Sequence, residues 1–113
     1  MHEIGMLHQA AELAISFADE NGIGEIKAIS IEIGELSGAL PYVFTEYFPF
    51  VAEKYPQLKN TELKLRTIPG EALCSDCHCL YNVMKHEGVC PRCGSRVKKV
   101  LGGQDVNVVS IEY

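Results

Sequence analysis

The sequence predicts an α+β fold in which two helices lie on a small three-stranded mixed sheet and a four-cysteine ribbon is inserted before the last strand. Three observations support this prediction. Apolar residues recur at helical spacing near the start of the chain, apolar and polar residues alternate in three later segments, and four cysteines form two C-x-x-C pairs. With 113 residues, 47% of them hydrophobic, the chain is one small domain or two very small ones.

Two helices are predicted from apolar periodicity and from stop and start residues. The first covers residues 5–21, where Asn21-Gly22 supplies the stop. The second begins in the segment marked by Ser37 and Pro41 and has a broad aromatic face, which we interpret as core rather than as a cofactor site. Because Pro49 removes an N–H and clashes with the carbonyl four residues earlier, we expect a kink or two short helices there.

Three strands are predicted from alternation. Residues 29–33 alternate isoleucine with polar side chains, and residues 63–66 alternate leucine with basic ones. Residues 106–111 are rich in valine and isoleucine and form the third strand. The cysteine segment therefore interrupts an α+β domain between its second and third strands.

The predicted domain organisation follows from that interruption. Residues 1–70 form the first part of the α+β domain, residues 71–103 the ribbon, and residues 104–113 the last strand returning to the first domain. Pro69-Gly70 and Gly102-Gly103 are the two linkers. Two modules on paired linkers are expected to move relative to each other.

The two C-x-x-C pairs predict a structural zinc site. Each pair can place two thiolates about 2.3 Å from one Zn²⁺, and the twelve residues between the pairs can fold back as a hairpin. Four sulfur ligands leave no open position for water or substrate, which favours a structural over a catalytic role. The predicted ligands of this inserted four-cysteine zinc ribbon are Cys74, Cys77, Cys90 and Cys93.

Other interpretations of the cysteines fit less well. The run from Cys74 to His78 matches the C-x-x-C-H haem-attachment pattern, but that assignment leaves the second pair unexplained. A thioredoxin-like motif would be a single pair beside a βαβ unit. Disulfides suit secreted chains, whereas residues 1–13 lack a basic region followed by a long apolar one. Cys79 is interpreted as a spare thiol, and His78 and His86 as solvated loop residues.

Charge separates the remaining classes of function. The formal net charge is −5, although residues 72–103 hold five basic and two acidic side chains. Four zinc-bound thiolates would offset most of that local excess, so the ribbon is not expected to bind nucleic acid. A zinc enzyme would need an open metal position or an activated nucleophile, and neither pattern is visible in the sequence. No apolar run is long enough to span a membrane.

The first three residues are a second candidate metal site. The α-amine of Met1, the amide nitrogen and imidazole of His2, and the amide nitrogen of Glu3 would form fused chelate rings around one ion. An all-nitrogen, tetragonal donor set suits Ni(II) or Cu(II). The ordinary pKa of an α-amine, about 7.7 to 8, allows it to lose its proton to a metal near neutral pH.

Taken together, these motifs resemble the HypA family of hydrogenase and urease nickel-incorporation proteins. The resemblance runs in order along essentially the whole chain. Its motifs are Met1-His2-Glu3, Ile33-Gly34-Glu35-Leu36-Ser37, the helix at Pro41, the cysteine quartet ending in Cys90-Pro91-Arg92-Cys93-Gly94-Ser95, and the valine-rich strand after Gly102-Gly103.

This resemblance implies a metallochaperone rather than an enzyme. It implies Ni²⁺ as cargo at the N-terminus through His2, zinc at the four cysteines, and delivery to a hydrogenase large subunit with a HypB-type nucleotide-hydrolysing partner. Urease accessory proteins are further expected partners, the cytoplasm is the expected location, and a monomer or homodimer is the expected state. One departure is Leu40-Pro41-Tyr42, where many relatives carry an acid, so a role for an acid at that position is not carried over.

Overall fold

The computed structural model of the protein describes residues 3–113. In this range two helices and six strands form two modules, and no helix is both long and apolar enough to cross a bilayer. The elements in chain order are α1 (Glu3–Glu20), β1 (Ala28–Gly34), α2 (Pro41–Ala52), a 3₁₀ turn (Pro56–Leu58), β2 (Glu62–Ile68), β3 (Glu71–Cys74), β4 (Leu80–Asn82), β5 (Lys98–Val100) and β6 (Val106–Glu112).

The first sheet has the strand order β2-β1-β6. Its central strand β1 pairs in parallel with β2 and antiparallel with β6, which confirms the predicted three-stranded mixed sheet. The register with β6 shifts between Ser30 and Ile31, so Val109 is the extra residue of a bulge. The last strand therefore returns to the first module after the cysteine segment, as the alternation pattern predicts.

The main core lies between this sheet and the two helices. Small side chains on α1, including Ala11, Ala14 and Ala18, are fully buried and allow the helix to approach the sheet closely. The isoleucines of β1 point into the same core, together with Phe44 of α2. These contacts confirm that the apolar stripes of the sequence mark the buried faces.

The end of α1 shows how the sequence stops a helix. The N–H of Ile23 donates to the carbonyl of Ala18 at 2.8 Å, and Gly22 has a φ of 66°. This is the six-to-one bond with a left-handed glycine that commonly closes helices. The side chain of Asn21 adds a bond to the carbonyl of Phe17 at 2.8 Å.

The second helix differs from the prediction in two respects. It is one continuous helix through Pro49 to Ala52, so the expectation of two short helices was wrong. The proline lies within one turn of the end and removes a single backbone donor, while Phe48 and Val51 on either side stay anchored in the core. Ser37 is not the helix cap, because its hydroxyl donates to the carbonyl of Gly34 at 2.7 Å and the cap residue is Leu40.

The second module is a three-stranded antiparallel ribbon with the order β4-β3-β5. Its buried cluster is small and consists of Ala72, Cys74, Tyr81 and Cys90. Two sheets and two separate cores lead us to propose the division predicted above, with residues 1–70 and 104–113 in one module and 71–103 in the other. The linkers are not loose, since the N–H of Leu36 donates to the carbonyl of Gly103 at 2.7 Å.

The importance of the main core can be measured with one substitution. Phe44 is 0% exposed, so Phe44→Ala should lower the free energy of unfolding by about 3–5 kcal/mol through lost burial and a cavity. Tyr42 on the same helix is 61% exposed, and Tyr42→Ala should change it by less than about 0.5 kcal/mol. Urea unfolding followed by circular dichroism measures the free energy of unfolding of both variants. Equal losses of stability in the two variants would contradict the assigned core.

Candidate metal centre

The two C-x-x-C pairs adopt the same backbone geometry. The N–H of His78 donates to the carbonyl of Cys74 at 3.0 Å, and the N–H of Gly94 donates to the carbonyl of Cys90 at 2.9 Å. His78 and Gly94 occupy matching positions and have φ values of 63° and 77°. Each pair therefore closes as a tight turn in which one residue takes the left-handed conformation.

A second pair of bonds repeats the match. The N–H of Cys74 donates to the carbonyl of Cys79, and the N–H of Cys90 donates to the carbonyl of Ser95, both at 2.9 Å. His78 is thus a backbone turn residue of the first knuckle. The sequence interpretation of His78 as an ordinary loop residue missed this role, although its alignment with Gly94 in the other pair is a usable signal.

The hairpin between the pairs brings the four predicted sulfur atoms together. All four lie within 4.8 Å of one another, and the pairs Cys74–Cys93 and Cys77–Cys90 have Sγ–Sγ distances of 3.5 Å. Four sulfurs bound at about 2.3 Å to one tetrahedral ion would be about 3.8 Å apart. The donor set and its size therefore fit zinc, with all four positions of a tetrahedron filled by protein.

The sulfurs differ in how readily they ionise. Burial opposes ionisation of Cys90, but N–H groups of Cys93 and Arg92 point at its sulfur and neighbouring thiols donate to it, which lowers its pKa to about 6. The N–H of Cys79 favours ionisation of Cys77, yet burial and the three neighbouring sulfurs raise the pKa of Cys77 to about 12. Full ionisation of this cluster thus calls for a cation, which a divalent metal supplies.

Two polar side chains fasten the knuckles to each other. The hydroxyl of Ser95 donates to the carboxylate of Asp76, and the same hydroxyl accepts the N–H of Val97 at 3.1 Å. The N–H of Ser75 donates to the carbonyl of Val97 at 3.0 Å. Nothing in the spacing of Asp76 and Ser95 along the sequence indicates that they meet.

The remaining cysteine and one histidine of the ribbon lie outside the four-sulfur group. The Cys79 thiol contacts the carbonyl of Leu80 at 3.5 Å, and burial raises the pKa of this thiol. The ring of His86 packs edge-on against Tyr81, with centroids 6.2 Å apart. Within residues 3–113, the side chains that lie close enough together to hold one metal ion are the four predicted cysteines. Neither Cys79 nor His86 belongs to that group.

The predicted N-terminal site is described only in part. Met1 and His2 lie outside the described residues, so their assignment stays a prediction. Glu3 is the first residue of α1, and its Oε2 atom accepts the N–H of Leu40 at 3.0 Å. Glu3 therefore lies beside the beginning of α2. The partner is the backbone N–H of residue 40, which every residue except proline would provide.

The fold and the sulfur cluster together define a small two-module protein with a built metal-binding ribbon. A family model described as hydrogenase/urease nickel incorporation, metallochaperone, HypA matches residues 1–113. The chain belongs to this HypA family, a family of nickel metallochaperones for hydrogenase maturation. The family resemblance drawn from the sequence motifs is confirmed.

Curated relatives match along nearly their whole length. The chain is 32% identical over 111 residues to the hydrogenase maturation factor HypA of Parabacteroides distasonis, covering 98% of this chain and 96% of that one. It is 30% identical over 116 residues to the hydrogenase maturation factor HybF of Klebsiella pneumoniae, covering 99% and 98%. Both relatives are named for hydrogenase maturation, and neither name refers to a catalysed reaction.

Solved structures share the fold. The solution structure of the Ni metallochaperone HypA from Helicobacter pylori superposes with a TM-score of 0.68 at 24% identity, covering 99% of this chain and 97% of that one. A second solution structure of a HypA protein gives a TM-score of 0.71 at 25% identity, covering 99% and 95%. The arrangement of helices, mixed sheet and ribbon is therefore a known one.

The metal centre makes a direct prediction about the ribbon. Cys90→Ser should lower the zinc content of the purified protein from about one equivalent to near zero and should disorder residues 71–103, because their small core does not suffice without a metal. Elemental analysis and amide hydrogen exchange measure the two effects. The β2-β1-β6 sheet should keep its slow exchange.

Cys79→Ser is the matched control, since its thiol lies outside the cluster. This variant should retain zinc and the ordered ribbon. Loss of metal in Cys79→Ser, or unfolding of both modules together in Cys90→Ser, would contradict the assignment of ligands and of modules.

Proposed function

We propose that this chain carries Ni(II) at its N-terminus and delivers it during maturation of [NiFe]-hydrogenase, with zinc as a structural ion in the ribbon. The observation that supports the proposal most is the family match over residues 1–113, which includes both metal-binding segments. The proposed nickel donors are the α-amine of Met1, the amide nitrogen and imidazole of His2, and the amide nitrogen of Glu3.

The side chain of Glu3 supports a role for this residue in holding the chain end. Its carboxylate is bonded to the N–H of Leu40, so residue 3 is fixed to a part of the chain 37 positions away. A fixed third residue reduces the freedom that a three-residue chelate loses when it closes around an ion. We propose that the carboxylate of Glu3 serves this anchoring role and that its backbone nitrogen is the donor.

The ribbon is proposed to bind zinc through Cys74, Cys77, Cys90 and Cys93. Its donors are all sulfur, a set that suits Zn²⁺, whereas Ni(II) in a tetragonal site takes nitrogen or oxygen donors. The two proposed sites thus differ in chemistry as well as in position. Zinc is the resident ion, and nickel is the cargo.

A site at a chain end suits a carrier. Donors from three consecutive residues can be exchanged one after another for those of an acceptor, whereas a preformed cage would retain the ion. Copper binds such donors more tightly than nickel does, so selectivity has to come from metal supply and from docking to the right partner.

The proposed partners follow from family membership. They are a HypB-type nucleotide-hydrolysing protein, the hydrogenase large subunit and, where urease is also served, its accessory proteins. We propose that nickel delivery takes place in the cytoplasm, where reducing conditions preserve thiols. We propose no role for the chain in binding nucleic acid. A monomer or a homodimer satisfies the proposal equally.

The role of His2 can be tested separately from that of zinc. His2→Ala removes the imidazole donor and should weaken nickel binding by more than the roughly 10- to 100-fold typical of outer-shell changes. Calorimetric titration of zinc-loaded, untagged protein measures this affinity, and zinc content should be unchanged. His86→Ala is the control and should bind nickel like wild type. The reverse pattern would move the site into the ribbon.

The role of the α-amine can be tested by lengthening the chain. A Gly-Ser extension before Met1 turns the amine into an amide, a much poorer donor at neutral pH, and keeps every side chain. It should weaken nickel binding about as much as His2→Ala does. The same two residues added after Tyr113 provide the control. Wild-type affinity in the N-terminally extended protein would show that His2 binds nickel with donors from elsewhere.

A further inference from the structure

The junction between the two modules contains a carboxylate that connects its own segment to two others. Glu35 directly follows β1 and is half-buried. Its Oε1 atom accepts the N–H of Gly70 in the first linker at 2.8 Å and the side-chain amide of Asn82 at the end of β4 at 2.9 Å. One oxygen atom thus joins the sheet module, the linker and the ribbon.

The backbone around Glu35 is bonded to both linkers. Its own N–H donates at 2.9 Å to the carbonyl of Ile68, the last residue of β2 and the one directly before the first linker. The N–H of the next residue, Leu36, donates to the carbonyl of Gly103 in the second linker at 2.7 Å. The N–H of Val83, next to Asn82, donates to the carbonyl of Gly70 at 2.8 Å.

Three glycines allow these segments to approach so closely. A Cβ atom on Gly34 would lie 2.2 Å from the carbonyl oxygen of Gly103, and one on Gly103 would lie 2.6 Å from the Cα of Gly70. Both distances are far shorter than van der Waals contact, and the obstacles are backbone atoms. The linkers are therefore packed against the end of β1 and against each other.

The hydrogen bonds of Glu35 favour its ionised form. The N–H of Gly70 and then the amide of Asn82 lower the pKa of the carboxyl group below its ordinary value of 4.5. At neutral pH both contacts are consequently charge-assisted, which makes them stronger than bonds between neutral groups.

The same loop reaches the N-terminal residue Glu3. The hydroxyl of Ser37 donates to the carbonyl of Gly34 and accepts the N–H of Ala39 at 3.2 Å, which fixes the middle of the loop. The N–H of Leu40, at the loop's far end, is the donor to the carboxylate of Glu3. Residues 35 and 40 thus hold the ribbon and the beginning of α1 from one short segment.

We propose that Glu35 is a positioning residue that fixes the ribbon against the sheet module, and that the loop of residues 34–40 transmits this fixed orientation to Glu3. The first part depends only on the contacts described above. The consequence for nickel, that a loosened ribbon weakens binding at the chain end, rests on the proposed function.

Residual dipolar couplings of zinc-loaded, nickel-free protein test the fixed orientation. In wild type, one alignment tensor should fit amides of the β2-β1-β6 sheet and of the ribbon. In Glu35→Ala the ribbon should require its own tensor with a smaller magnitude. Asn82→Ala, which removes one of the two side-chain contacts, should show the same change to a lesser degree. Unchanged zinc content and amide dispersion verify that both modules remain folded.

Glu25→Ala is the matched control, because Glu25 is an exposed glutamate in the loop before β1. It should behave like wild type. A single tensor for both modules in Glu35→Ala would overturn the positioning role. If Glu35→Ala does not fold, Glu35→Gln and Asn82→Ala give the decision, and two single-tensor fits would reject the proposal.

The link to Glu3 is read at the amide of Leu40. Its exchange with solvent should become about 10-fold faster in Glu35→Ala, as it should when Glu3→Gln weakens the bond directly. Unchanged exchange alongside a mobile ribbon would reject transmission through the loop.

The dissociation constant for nickel should rise about three- to tenfold in Glu35→Ala. Absence of N-terminal nickel binding in wild type would reject the proposed function and leave the dipolar-coupling result standing.

Discussion

The architecture depends on the fact that β1 is the centre of a sheet whose third strand comes after the ribbon. The neighbours β2 and β6 both pair with β1, so the inserted segment has to leave and return at the same end of that strand. Gly34, Gly70 and Gly103 meet at this point because a side chain on Gly34 or Gly103 would collide with backbone, and one on Gly70 would collide with the side chain of Leu36. The ribbon is therefore held at its base by the geometry of the sheet, and Glu35 occupies that base.

The ribbon itself depends on electrostatics. Four thiols lie closer together than four negative charges would tolerate, and backbone N–H groups, neighbouring protonated thiols and a cation favour the ionised form of an individual sulfur such as that of Cys90. The duplicated turns orient the two sulfurs of each pair through backbone hydrogen bonds. A metal then adds the attraction that the four-residue buried cluster cannot provide. The proposed nickel end is the opposite kind of site, with donors from consecutive residues.

The sequence predicts those features whose causes are local or periodic. Helical spacing locates α1 and α2, alternation locates the three strands of the mixed sheet, and the cysteine spacing identifies the sulfur quartet that the structure brings together. The chain end stays a prediction, because residues 1 and 2 lie outside the described range. The helix continues through Pro49, because tertiary contacts that are not visible in the local sequence keep it intact.

Contacts between distant residues gave no such signal. Glu35 and Asn82 are 47 positions apart, and each is an unremarkable polar residue in its own segment. Asp76 and Ser95 are likewise joined only when the hairpin folds. Ser37 marks a helix start in the sequence, but its hydroxyl bonds within the preceding loop, since serine satisfies a loop as readily as a helix end.

The late position of β6 has a consequence for the order of folding. β6 can join β1 only after an insertion of roughly 30 residues has been bridged, and closing a flexible loop of that length costs about 3 kcal/mol of chain entropy. A ribbon already closed around an ion presents both ends side by side and removes most of that cost. Metal uptake during synthesis would thus decide how quickly the sheet acquires its last strand, which would couple the rate of folding to the cell's supply of the metal that the ribbon binds.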